Sequence, residues 1–301
     1  MMRIAVLIPA YNEEKTIAKV VKDFRRELPR ADILVFDNNS KDKTAKLAKK
    51  AGARVVRAEK QGKGHVVQKM FNEVEADVYV MVDGDDTYPA EYVHEIIKPI
   101  VGNEADMTVG ERMNGFVKEE KAFLHKLGNK MILWSLNACF PTKIKDMLSG
   151  YRAFNKDIVK NLNLLSSGFT IETEMTIKAL ENGYRIKEIP IKYRERPKGS
   201  VSKLKSWEDG TFIMQTILQL FRDHRPMQFF LAGAGVMWAV AIGFLLPIFT
   251  ELMTGEVSNI TNLVMMTFFI ILGLQMFMAG FLASSTKRHT EELMHLVRRT
   301  R

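Results

Sequence analysis

The sequence holds a single cysteine, Cys139, among 301 residues. No intrachain disulfide can form, and a reducing compartment is expected. Histidine is also scarce: His65, His94, His125, His224, His289 and His295 are dispersed without metal-ligand spacing and read as surface or packing residues. No G-x-x-x-x-G-K-[ST] string occurs, so "QGKGH" is not a nucleoside-triphosphatase phosphate loop. The opening "MMRIAVLIPA" has too short an apolar run for a signal segment, so residues 1–228 are expected not to be exported. The most consequential shortage is of charge. Phe229 to Thr250 and Ile260 to Ser284 contain no charged residue. At ~1.5 Å rise per residue, each is long enough to cross the roughly 30 Å of bilayer hydrocarbon. Core helices of a soluble domain this size seldom run so long without a polar stripe, which favours membrane spans.

What flanks the spans sets their orientation. Arg222, His224 and Arg225 precede the first, and Lys287, Arg288, Arg298, Arg299 and Arg301 follow the second, whereas the connector carries only Glu251 and Glu256. The positive-inside rule then predicts cytoplasmic termini and an inner (plasma) membrane location. The net charge of +9 is spread along the chain, with a concentration near the spans. No aromatic-interleaved basic motif of a nucleic-acid module is present, so the charge reads as attraction to an anionic lipid surface. The expected organisation is a globular domain over 1–204, an amphipathic helix over 205–228, a two-span region over 229–284 and a basic tail over 285–301. The stripe Trp207, Phe212, Ile213, Thr216, Ile217, Leu220 and Phe221 either lies in the membrane interface or packs on the globular domain. Leu127 to Phe140, with Trp134, is a second interfacial segment by the same reasoning.

Within 1–204 the pattern alternates. "RIAVLI" closed by Pro9, "ADILVFD", "ARVVRA" and "DVYVMVD" read as buried strands. Between them, Glu13 to Leu28, "NNSKDKTAKLAKKAG" and "GKGHVVQKMFNEVE" read as helices. This predicts a doubly wound α/β sheet with parallel pairing, whose ligands sit outside the carboxyl ends of the strands. "PAYNEE", "DNNSKD", "KQGKG" and "DGDDTYP" fall at those ends.

The last of these crowds Asp83, Asp85 and Asp86 at one turn. Such carboxylates repel unless something positive sits among them. A hard divalent cation on few carboxylates, with sites left for diphosphate oxygens, answers the repulsion. Asp83 and Asp85, two apart in an extended segment, project to one side. Asp83 alternatively meets a ribose, leaving Asp85 as the main ligand. Asp86 points away, as a turn residue or a helix cap before "PAEYVHEII".

The series "VLIPAYNEEKTI", "FDNNSKDKT", "GKG" and "VDGDDTYP" resembles family-2 glycosyltransferases with a GT-A fold. The continuation "MLSGYRAF", "GFTIETEM", "EIPIKYRERPKGSVSKL" and the two terminal spans resembles their polyprenyl-phosphate branch, over nearly the whole chain. The resemblance implies a Rossmann-like, mainly parallel catalytic domain followed by an amphipathic juxtamembrane helix and two transmembrane helices. It assigns Pro9, Tyr11, Glu13 and Asp37 to the nucleotide base and ribose, with Lys63 and Gly64 near them. It assigns Asp83 and Asp85 to ribose and to a Mg2+ or Mn2+ diphosphate. Thr87 stands where some relatives have a glutamine metal ligand, which puts a third protein ligand in question. Nucleotide sugar, polyprenyl phosphate and a lipid bilayer are the implied partners, with no nucleic acid and a homotetramer as the implied assembly.

A lipid-phosphate acceptor is an anion approaching another anion, so it needs fixed cations. Arg112, Arg152, Arg194, Arg196 and Lys203 are the candidates, and a solvated basic face is the plainer reading of such a run. A phosphate monoester is already ionised near neutral pH, so little is asked of a carboxylate base. Glu172, Glu174 and Asp146 then order the acceptor loops or pair with arginines. The expected reaction is inverting transfer of a hexose, from UDP-glucose or UDP-N-acetylglucosamine by preference or from GDP-mannose, onto polyprenyl phosphate. Asp83, Asp85 and Arg112 would serve as its catalytic groups. Two rivals are a processive polysaccharide synthase, against which stands the lack of a Q-x-x-R-W string, and a non-catalytic membrane-anchored scaffold.

Overall fold

The computed structural model describes residues 2–113, 144–165, 171–194, 222–254 and 260–299, with single helical positions at 133, 137, 215, 218 and 219. These form two compact units, the first within residues 2–194 and the second built on the two C-terminal helices.

In the first unit the chain runs β1 (Ile4–Ala10), α1 (Ile17–Glu27), β2 (Asp32–Asp37), α2 (Thr44–Lys50), β3 (Arg54–Arg57), α3 (Lys63–Glu73) and β4 (Val78–Met81). It continues through α4 (Val93–Val101), β5 (Met107–Arg112), β6 (Arg152–Asn155), α5 (Lys156–Asn161), α6 (Ile171–Glu181) and β7 (Ile186–Ile191). The strands form one sheet in the order β3-β2-β1-β4-β6-β5-β7. Pairing is parallel except at β6, which runs antiparallel to both β4 and β5. The sheet is therefore mainly parallel, with one reversed strand.

Strand alternation distributes the core. Val6, Ile8, Ile33, Val35, Val78 and Val80 face one side, where Phe24 of α1, Ala48 of α2 and Ile96 of α4 cover them. Ala5, Leu7, Leu34, Phe36, Tyr79 and Met81 face the other, beneath Met70 of α3, Ile158 of α5 and Met175 of α6. Both faces are dry, which is why these strands read as continuous apolar runs rather than as alternating ones. Each large side chain so buried contributes about 1.5–3 kcal/mol of transfer free energy.

Of the boundaries that differ from expectation, three have a local cause. β1 continues through Pro9 to Ala10, and Pro9 is a register partner of Phe36 in the parallel ladder. α1 starts at Ile17, not Glu13, because the Glu13 carbonyl accepts from the Thr16 and Ile17 amides in a preceding turn. α2 starts at Thr44 because the residues before it bond to the loop after β1 instead of to a helix. The Asn12 amide donates to Ser40 Oγ (3.0 Å), the Lys41 amide to Asn12 Oδ1 (2.8 Å) and the Lys43 amide to Glu14 Oε2 (3.1 Å). Asn12 and Asn39 hold left-handed φ values of 54° and 60°, which asparagine tolerates better than most residues.

The second unit pairs α7 (Pro226–Thr254) with α8 (Ile260–Arg299), and α8 runs unbroken past the expected span end at Ser284. Both are long and apolar enough to cross a membrane. Small residues let them approach: Gly273 lies against Trp238, Gly233 against Met276 and Gly280 against Phe230. The Trp238 indole N–H donates to the Ile270 carbonyl at 3.4 Å. Leu246, Phe249, Ile271 and Leu282 face outward and are exposed. Of the expected amphipathic helix over 205–228 the structure describes residues 222–228 and positions 215, 218 and 219, and of the segment 127–140 only positions 133 and 137; the 204/205 boundary lies outside the described residues.

Candidate active site

A cavity of about 430 Å3 opens where the carboxyl ends of β1 and β4 meet the loops after β2 and β3. Pro9, Tyr11, Glu13, Lys63, Asp83, Asp85 and Arg112, all singled out in the sequence, line it together. Asp37 and Gly64 lie just beyond its wall, and Thr87 sits beneath Asp85. This is the strand-end position at which open α/β sheets hold ligands.

The wall expected to take the nucleotide is built by the loop after β2. Asn38 is buried, donates through Nδ2 to the carbonyls of Ala58 (3.0 Å) and Lys60 (2.7 Å), and accepts from the Gly62 amide at 2.8 Å. It thereby fixes the turn before α3, where Gly62 has φ +126°, a value strained for any residue with a side chain. Its neighbour Asp37 is buried with Oδ1 lacking a hydrogen-bond partner among the described residues. A carboxylate oxygen in that position calls for a donor from a ligand or water.

Lys63, the first residue of α3, joins three elements. Its Nζ lies 2.6 Å from Asp83 Oδ1, at the end of β4, and 2.5 Å from Glu172 Oε1, in the first turn of α6. Burial alone would lower the ammonium's pKa, but the two carboxylates outweigh it and hold the pKa well above the usual lysine range. Asp83 is seated by a missing atom: a Cβ at Gly150 would overlap its carboxylate. Gly150 also donates its amide to the Tyr88 hydroxyl at 2.9 Å, and burial pushes that phenol's pKa up. If Asp83 positions a ligand in this cavity, Gly150→Ala is expected to lower turnover by about 100-fold, the cost of misplacing a positioning group by ~1 Å. Steady-state kinetics on a variant of unchanged melting temperature checks it, and a rate within a few-fold of wild type would show that Asp83 tolerates displacement.

Asp85 is 3% exposed, and its Oδ1 accepts from the Thr87 hydroxyl (2.6 Å) and the Thr87 amide (3.2 Å). Thr87 is itself fully buried, so it orients Asp85 rather than standing as a third ligand at the cavity. Asp86 turns away at φ +60° and pairs with Lys19 at 2.5 Å and Arg194 at 3.6 Å. It is a turn residue, and the alternative of a helix cap is corrected: the short 3-10 turn at Ala90–Tyr92 has Pro89 at its cap position and no side-chain cap bond.

On the opposite wall, Asp146 holds Arg112 in a two-pronged ion pair, Nε–Oδ2 at 2.6 Å and Nη2–Oδ1 at 2.7 Å. The guanidinium lies over the Tyr193 ring, 5.5 Å from its centroid. Burial would lower the Arg112 pKa, but the Asp146 contact reverses this and keeps the group charged. Tyr88 meets Tyr193 edge to face and Tyr151 at a tilt of 60°, so the three rings pack as one aromatic cluster.

Arg152 requires correction. It is fully buried in β6, donating to the carbonyls of Ser149 (2.8 Å) and Met147 (2.5 Å) and to Thr176 Oγ1 (2.8 Å). Burial lowers its pKa from the usual arginine value, and its bonds are internal, so it is a structural strut rather than a lipid-phosphate contact. Arg194 pairs with Asp86 and with Glu91 at 3.6 Å, outside the cavity lining. Arg196 and Lys203 lie outside the described residues. Of the acidic trio, Asp146 pairs with an arginine as one expectation had it. Glu172 pairs with Lys63, and Glu174 bonds Lys178 (2.8 Å) and the Leu165 amide (2.8 Å).

Four carboxylates and two cations line the cavity, an excess of negative charge unsuited to a diphosphate. Among the described residues no group of three or more His, Cys, Asp or Glu side chains is placed to hold a metal. Asp83 and Asp85 supply hard oxygen donors for a Mg2+-like ion whose remaining sites a diphosphate would fill. The residues present fit such a group.

Residues 5–162 match the model for glycosyl transferase family 2. The chain is 31% identical over 281 residues to the glycosyltransferase AglJ of Haloferax volcanii, covering 93% of this chain and 92% of that relative. It is 30% identical over 223 residues to a dolichyl-phosphate hexose transferase of the same organism, covering 74% and 95%. With the undecaprenyl-phosphate mannosyltransferase of Micrococcus luteus it shares 28% identity over 215 residues, 66% of this chain and 86% of that one. Among solved structures, glucosyl-3-phosphoglycerate synthase from Mycobacterium tuberculosis, in complex with Mn2+ and UDP-glucose, superposes with a TM-score of 0.58. The match covers 73% of this chain and 78% of that one at 23% identity, a likeness of fold. The chain belongs to glycosyl transferase family 2, as a glycosyltransferase of GT-A fold whose relatives include enzymes named for polyprenyl-phosphate sugar transfer.

Proposed function

We propose that this protein moves a single hexose from a nucleoside-diphosphate sugar to a polyprenyl phosphate at the membrane that α7 and α8 cross. The observation that carries the reading is the convergence of Asp83, Asp85, Lys63 and Arg112 on one cavity at the strand ends. The family match makes the chemistry glycosyl transfer, and the named relatives support a polyprenyl-phosphate acceptor. The flanking charges support cytoplasmic termini.

An oxygen of the acceptor phosphate attacks the anomeric carbon while the bond from that carbon to the diphosphate oxygen breaks. The electron pair leaves with the nucleoside diphosphate, and the anomeric configuration inverts. The attacking oxygen is already ionised, since the second pKa of a phosphate monoester is about 6, so no carboxylate need act as base. Arg112, held rigid by Asp146, offers a fixed positive charge where negative charge develops. Asp37, Tyr11 and Glu13 lie toward the nucleoside, and Asp83 is shared between ribose and diphosphate. A divalent cation, Mg2+ or Mn2+, at Asp83 and Asp85 would neutralise the leaving diphosphate.

A uridine diphosphate hexose is the preferred donor, and GDP-mannose is the second reading, favoured by the relative named as a mannosyltransferase. The test incubates the detergent-solubilised full chain with Mg2+ or Mn2+, a panel of sugar nucleotides and undecaprenyl phosphate. One sugar per lipid supports the proposal. Long polymer supports a processive synthase, and nucleotide binding without product supports a scaffold.

A further inference from the structure

A second concave site lies within the α7–α8 unit, at the basic ends of the two apolar helices. It is an open groove of about 360 Å3, lined by His224, Arg225 and Gln228 on one side and Ser284, Lys287 and Arg288 on the other. His224, Arg225, Ser284 and Lys287 are half-buried, and Arg288 is exposed. Lys287 Nζ donates to the His224 carbonyl at 2.7 Å, clamping α8 to the segment that enters α7. Among the described residues that line the groove there is no carboxylate. The nearby Asp223 is engaged by Arg222 at 2.7 Å, and Glu292 lies 3.7 Å from His289.

Basic residues at a span end commonly snorkel to water without forming a site. Here, however, cations from α8 and from the segment that enters α7 converge on one hollow, next to apolar helices long enough to lie along acyl chains. The amino end of α7 adds the positive end of its helix dipole. A basic pocket between helices at the membrane surface is the arrangement that recognises an anionic lipid headgroup.

We infer that this groove binds the phosphodiester headgroup of an anionic phospholipid, whose tails run down the outer faces of α7 and α8. Arg225 and Arg288 grip the phosphate oxygens, and Lys287 sets the helix spacing. The inference rests on α7 and α8 spanning the bilayer, which retention of the wild-type chain in carbonate-washed membranes tests separately.

The test measures phosphatidylglycerol and phosphatidylcholine adducts on the full chain in neutral detergent by native mass spectrometry. Wild type should retain phosphatidylglycerol and shed phosphatidylcholine. Arg225→Ala with Arg288→Ala should weaken the phosphatidylglycerol adduct about thirtyfold, roughly fivefold for each cation removed. Arg298→Ala with Arg299→Ala removes the same charge beyond the groove and should change the adduct by less than about twofold. Equal loss in both double variants would overturn the site in favour of general attraction to charge. Equal retention of both lipids by wild type would also overturn it. So would displacement of phosphatidylglycerol by equimolar undecaprenyl phosphate, which would make the groove an acceptor site, or by inorganic phosphate at millimolar level, which would make it a simple anion site. Should the groove variant fold poorly, the wild-type melting temperature decides: phosphatidylglycerol should raise it and phosphatidylcholine should not.

Discussion

Asp85→Asn is expected to abolish most turnover, by about 1,000-fold, the upper end of what the loss of one preorganised electrostatic group costs. The amide keeps the shape of the carboxylate but not its charge, and Thr87 can still donate to the remaining carbonyl oxygen. Stability should therefore change little, by less than about 1 kcal/mol. On the proposed reading, what is lost is one of the two hard anionic donors at the diphosphate position, together with the affinity for nucleoside diphosphate that depends on divalent metal. Calorimetric titration of UDP and GDP with and without Mg2+ separates the two effects. Wild type should show a strong metal dependence and the variant little. Near-normal rates in the variant would remove Asp85 from the diphosphate site and leave Asp83 to carry it.

The strands near the amino end and their parallel pairing were legible because β1, β2 and β4 are apolar on both faces and are punctuated by polar loops. The rim motifs could be placed for the same reason, since parallel pairing puts every carboxyl end on one side. Arg152 was misread because local sequence does not show burial. "SGYRAF" resembles an exposed basic turn until β6 is threaded between β4 and β5, where the guanidinium finds the carbonyls of Met147 and Ser149. Glu172 was seen as an acidic residue near the acceptor loops, but its partner could not be named. Lys63 lies far away in sequence and meets it only once α3 and α6 pack on the same face of the sheet. Gly150 carried the one overlooked signal: a glycine opening "GYRAF", beside a strand, often marks close approach of another chain segment. The atoms that approach are those of Asp83.

Lys63→Met should lower stability by about 3 kcal/mol, the lower end of the cost of breaking a buried ion pair. The lower end applies because Asp83 keeps 24% of its side-chain surface exposed, whereas Glu172 keeps 5%. For a unit of this size, that loss corresponds to a fall of about 6–12 °C in melting temperature. In wild type the raised lysine pKa makes the contribution complete below the ordinary lysine value of about 10.4 and removes it only above the raised one. Between about pH 5 and pH 9, then, Lys63 itself should add no slope to stability. The variant should behave differently. Asp83 and Glu172 are left as like charges with no cation between them, a repulsion that added salt screens in part. The melting-temperature gap between wild type and variant should accordingly be widest at low ionic strength and narrow toward about 1 M salt. A gap that is the same at both ends would show that methionine disturbs packing rather than charge. A gap below about 2 °C throughout would mean that water, not Lys63, balances the two carboxylates. The proposed donor site gives a second reading of the same change: without the Lys63 ammonium, Asp83 loses the contact that holds it beside Gly150. Nucleotide affinity should then fall even in high salt, where stability recovers in part, because screening weakens the repulsion but does not restore position.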